Sequence, residues 1–111
     1  MEVYLQYGVN SFKKFKQVNM KLIDLIEGIE NVNEELIIFQ ENMGDFDSDI
    51  ILAFGEEGDE GVKEENEKKY HYLIEVFLAK EFIEDWIASL DYAPNSNEMA
   101  KRLYEYAIND A

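Results

Sequence analysis

A chain of 111 residues, 47% hydrophobic and 14% aromatic, carries enough apolar surface to fold, which excludes a disordered polymer. Twenty-five acids against ten bases leave a net charge of −15, which repels nucleic acid and anionic membrane and attracts cationic partners. With no cysteine, the chain has neither a disulfide nor a thiolate metal site.

These features suggest one domain over residues 1–111, large enough for a real core. Met1-Glu2-Val3-Tyr4 lacks the basic start of a signal peptide, and the longest purely apolar run, Ile50 to Phe54, is five residues. A cytoplasmic protein is therefore expected. The charge is concentrated: residues 1–23 balance at +3, residues 24–67 at −15, and residues 68–111 at −3.

In chain order, Val3, Leu5 and Tyr7 alternate with Glu2, Tyr4 and Gln6, as a short strand would. Asn10 or Ser11 then caps a helix whose apolar positions are Phe12, Phe15, Val18, Leu22, Ile26 and Ile29, ending near Glu30. Its lysines lie toward the N-terminus and its acids toward the C-terminus, against the preference of the helix dipole, so the lysines are expected to pair with acids of later loops. Leu36-Ile37-Ile38-Phe39 suits a buried strand or, after Glu34-Glu35, a helix start; the strand is favoured because Ile37, Ile38 and Phe39 are poor helix formers, and a polar loop follows from Gln40 to Asp49.

Ile50–Phe54 and Tyr70–Leu78 read as two strands at the centre of the sheet, joined by a connector, Gly55 to Glu67, with seven acids against Lys63. From Ala79 the period becomes helical, through Phe82, Ile83, Trp86, Ile87 and Leu90. A single helix from Lys63 to Leu90 is the rival assignment. After Ala93-Pro94, Asn95 and Glu98 form a capping box for a last helix carrying Met99, Leu103, Tyr106 and Ala107. The expected fold is α+β, a small antiparallel sheet of about three strands covered by three helices, with an all-α bundle as the alternative.

No catalytic motif is present, and an enzyme is not expected. Asp45, Asp47, Asp49 and Glu56 match the carboxylate skeleton of an EF-hand loop, but Ile50 stands where its sharp turn needs glycine. The single histidine, His71, lies between Tyr70 and Tyr72, and none of the serines has a nucleophile-elbow context. No metal and no cofactor are expected. Glu75 is the one carboxylate set in an apolar run, and it is expected to face a partner or a sheet edge.

The acid array, interleaved with aromatics, suits a basic protein surface. Candidate contact residues are Glu56, Glu57, Asp59, Glu60, Glu64 and Glu65, extended by Asp45, Asp47 and Asp49 if their loop folds back beside the connector, with Tyr70 and Tyr72 as desolvated anchors. In size and acidic character the chain resembles the bacterial immunity proteins of the colicin and contact-dependent growth-inhibition kinds. That resemblance implies a cytoplasmic monomer or weak dimer that neutralises a basic cognate toxin domain, a nuclease by expectation, and that contacts neither nucleic acid nor membrane. Tyr70-His71-Tyr72 resembles the paired tyrosines of colicin DNase immunity proteins, but those lie on a helical turn, so no site residue carries over. An acidic secretion chaperone for an effector protein is the alternative, and a nucleic-acid mimic the third.

Overall fold

The computed structural model describes residues 20–58 and 60–109. The predicted strand at Met1–Tyr7 and the first part of the predicted helix lie outside these residues, as does Asp59. The fold is α+β, and the described residues form a four-stranded antiparallel sheet and three α-helices. The elements are α1 (Leu22–Ile26), a 3-10 turn (Ile29–Asn31), β1 (Ile37–Gln40), β2 (Ile50–Ala53), β3 (Val62–Glu65), β4 (Lys68–Glu75), α2 (Val76–Ala88) and α3 (Ser96–Asn109).

The predicted helix does not run unbroken to Glu30. Lys21 is extended at φ −110° and ψ 165°, because the Met20 carbonyl accepts the Ile50 N–H at 2.8 Å, and α1 starts only afterwards. Asp24 supports that start by accepting the Lys21 N–H at 2.9 Å. The reversed charge pattern is resolved at one point: the Lys21 ammonium reaches Asp49 of a later loop, 2.9 Å away.

The sheet order is β2-β1-β4-β3, so β1 and β4 are central and β2 lies at an edge. The expected central pair of Ile50–Phe54 and Tyr70–Leu78 is thus corrected: β1 lies between those two strands and pairs with both. The connector is not all loop, since it contains β3, which turns into β4 through Asn66 (φ 55°) and Glu67 (φ 65°). Two successive left-handed residues are what a two-residue type I′ hairpin requires. The rival single helix from Lys63 to Leu90 is not formed.

Strand β4 ends at Glu75 rather than Leu78. Glu75 is extended, at φ −76° and ψ 145°, and α2 begins at Val76, whose N–H donates to the Leu36 carbonyl at 3.0 Å. Val76-Phe77-Leu78 looked like strand because it is apolar and partly β-branched. A chain passing directly from a buried strand into a buried helix end shows no polar break at the junction.

Alternation along the strands separates two cores. Ile38, Leu52, Leu73 and Ile74 join Leu22, Leu25, Ile26, Val76, Ala79, Ile83, Ala100 and Leu103 under the helices. On the opposite face Phe39, Ile51, Ala53 and Tyr70 form a smaller cluster, with Ile37 packed against it. The predicted capping box closes α3: Asn95 Oδ1 accepts the Glu98 N–H at 2.8 Å, and Glu98 Oε1 accepts the Asn95 N–H at 3.0 Å.

Candidate functional site

The register divides the acids between two ends of the sheet. Gln40 pairs with both Ile50 and His71, so the β1–β2 loop and the β3–β4 turn share one end. Ile37 pairs with both Ala53 and Glu75, so the exit of β2 into the connector lies at the other end. Asp45, Asp47 and Asp49 therefore do not extend the connector surface. They lie in the loop at the far end, toward which β3 carries Glu64 and Glu65.

Bases form ion pairs with two of the acids at that loop end, Asp49 and Glu41, while Asp45, Asp47, Glu64, Glu65 and Glu67 have none among the described residues. Lys21 pairs with Asp49, Lys68 approaches Glu41 at 3.8 Å, and Lys69 stands opposite Glu64 across the strands. The Asp49 hydrogen bond, joined by the charges of Asp49, Asp47 and Asp45, holds the Lys21 pKa above its ordinary value despite an opposing effect of burial. The loop is also fixed from within and from α3. Gln40 is fully buried and donates through Nε2 to the Asp45 and Phe46 carbonyls, while the Tyr104 hydroxyl donates to the Met43 carbonyl at 2.7 Å. Glu56, which stands at the last position of the EF-hand pattern, lies at the other end. Among the described residues no group of three or more His, Asp or Glu is placed to hold a metal ion.

At the connector end, residues 54–58 leave β2, and residues 60–61 enter β3, on the sheet face opposite the helices. Contacts hold both ends of the connector: a Cβ on Gly55 would lie 2.9 Å from Ile37 Cδ1, and the Gly61 carbonyl accepts the Tyr72 N–H at 2.8 Å. Gly61 sits at φ 81°, a conformation that favours glycine. Lys63 is buried on this face, with Nζ 3.3 Å from Glu56 and 5.8 Å from the centroid of Phe39. Glu56, expected to face a partner, is thus also an internal anchor of the connector. Glu57 and Glu60 are exposed.

Tyr70 is 6% exposed and belongs to the small core, whereas Tyr72 is 40% exposed. The Tyr72 ring meets Phe39 edge-on, at 6.4 Å between centroids. Burial and then the charge and hydrogen bond of Glu75 push the Tyr72 pKa above its ordinary value. This neighbourhood depends on a β-bulge. Ile38 pairs with Ile74 and Phe39 with Tyr72, leaving Leu73 as the extra residue. Leu73 and Ile74 are both buried beneath the helices, and Glu75 comes onto the same face as Tyr72.

Sequence reasoning singled out Glu75 but did not join it to Glu34, Glu35, Ile37 and Phe77, which line an open groove with it. The signal available was one acid in an apolar run, followed by an apolar residue, Phe77, that turns out 41% exposed. Comparison with family models, with curated proteins and with solved structures finds no match to this chain. Among the described residues no helix is long and apolar enough to cross a membrane.

Proposed function

We propose that this protein is an immunity protein that binds and neutralises a basic bacterial toxin, a nuclease of the colicin or contact-dependent growth-inhibition kind, from within the cytoplasm. One observation carries this proposal. At the connector end, Glu35, Glu57, Glu60 and Glu75 have no ion-pair partner among the described residues, and exposed Tyr72 and Phe77 accompany them. Unneutralised carboxylates steer a cationic partner to the surface, and exposed aromatics give the complex its desolvated centre. A nuclease presents the lysines and arginines that hold nucleic-acid phosphate, and this surface would cover them.

The test is capture of the partner from the native bacterium, followed by measurement of whether the chain protects cells from it. A folded basic toxin in a one-to-one complex, with protection, is the expected result. A dimer of this chain holding an unfolded effector segment would instead make it a secretion chaperone. Competition with DNA for a nucleic-acid-binding protein that is no toxin would make it a mimic.

A further inference from the structure

The open groove at the connector end is lined by Glu34, Glu35, Ile37, Glu75 and Phe77 and has a volume of about 480 Å³. It opens where β1 begins and β4 passes into α2, beside Tyr72. Its composition is mixed: Ile37 and Phe77 are apolar, and carboxylates stand around them. Glu34 is engaged by Lys80 at 3.7 Å, while Glu35 and Glu75 have no ion-pair partner among the described residues.

We infer that this groove is the docking site for an arginine side chain presented by the basic protein partner, an inference that rests on the immunity function proposed above. An arginine matches both halves of the groove. Its guanidinium is weakly hydrated, pairs with a carboxylate through two parallel hydrogen bonds, and stacks on aromatic rings, while its aliphatic stem lies against apolar surface. Lysine, a compact and strongly hydrated point charge, gives up more hydration at an apolar floor and cannot form the paired bonds.

Other occupants fit less well. A divalent cation needs several converging oxygen ligands, and among the described residues no such group exists. A second copy of this chain would bring another net charge of −15 to the same surface. The bulge gives the inference a structural cause, because it brings Glu75 to the face of Tyr72 rather than under the helices.

The test is a titration of the isotopically labelled full chain with nona-arginine and, separately, nona-lysine peptides, followed residue by residue by NMR. The expected result is shifts centred on Ile37, Tyr72, Glu75 and Phe77, with nona-arginine binding several-fold more tightly than nona-lysine. Substituting Glu75→Gln together with Phe77→Ala should weaken nona-arginine about tenfold. Asp45→Asn with Asp47→Asn, at the opposite end, should change it less than about twofold. The spectrum of each variant away from its substitutions shows whether the fold persists. Absence of binding, shifts centred on residues 45–49, equal affinity for the two peptides, or an unaffected Glu75→Gln/Phe77→Ala variant would each overturn the assignment. A captured toxin that binds this double variant with full affinity would overturn the groove and leave the immunity function standing. Nona-arginine seated in the groove, with no toxin captured and no protection, would do the reverse.

Discussion

Replacing Leu103 with alanine separates the stability of the fold from the surface proposed to bind. Leu103 is fully buried in α3, in the same core cluster as Leu22 (0% exposed), Leu25 (1%) and Ala100 (0%). Leucine-to-alanine changes at such sites cost about 2.7–5.0 kcal/mol, the larger values where the cavity cannot collapse. Here the neighbours come from different elements, and α3 is also tied down through Tyr104 and Met43, so a loss of about 3–4 kcal/mol is expected. At about 4 °C per kcal/mol for a domain of this size, Tm should fall by about 12–16 °C. Total stabilities of about 5–15 kcal/mol leave the variant folded in the cold. Thermal unfolding followed by circular dichroism, with a nona-arginine titration in the cold, checks both parts. A loss under about 1 kcal/mol would mean that α3 is not seated in the core. A weakened titration in the folded variant would mean that the connector end does not bind independently of α3.

Other predictions concern the local devices of the fold. Burial, then the charges of Glu41, Asp49 and Glu65, raise the Tyr70 pKa, so the unfolded chain loses this proton first as pH rises. Stability should be unaffected by this group below about pH 10 and fall above it, and Tyr70→Phe should remove part of that alkaline loss. Parallel decline of both proteins between neutral and strongly alkaline pH would refute it. Asn95→Ala breaks the capping box of α3 and should cost about 1 kcal/mol in urea unfolding, with no loss if the box is only a surface contact. Glu67→Gly relieves a left-handed glutamate at φ 65° and should stabilise the β3–β4 hairpin by about 1 kcal/mol. An unchanged urea midpoint would mean that the turn is not type I′ in solution.

Strands with a run of apolar residues were legible in the sequence, and so was the helix behind the capping box. Ile37–Gln40 and Ile50–Ala53 are short apolar runs that polar loops delimit, and Asn95 with Glu98 is a local signal that needs no tertiary contact. Val62-Lys63-Glu64-Glu65 was not legible as a strand, because an edge strand gains its hydrogen bonds from a neighbour and needs no apolar run. Nor could the sequence tell that β1 lies between β2 and β4, since pairing order depends on how the connector crosses the sheet. The candidate site was half visible. Charge and aromaticity point to Glu57, Glu60 and Tyr72, but the bulge at Leu73 reverses the alternation that would have placed Glu75 on the face opposite Tyr72. Tyr70 and Tyr72 looked equivalent, yet one fills a core and the other faces outward.

The most direct test of the proposed function is the association rate of the captured toxin with two charge-neutralised variants, measured beside cell protection. One variant carries Glu35→Gln, Glu57→Gln, Glu60→Gln and Glu75→Gln at the connector end; the other carries Asp45→Asn, Asp47→Asn, Glu64→Gln and Glu67→Gln at the loop end. Each removes four charges, so a uniform effect of net charge would slow both alike. The expected result is association slowed about tenfold or more in the connector-end variant, with lost protection and a flattened salt dependence, and a much smaller change in the loop-end variant. Equal effects on the two variants, or a connector-end variant that binds and protects like the unaltered chain, would contradict the placement of the binding surface.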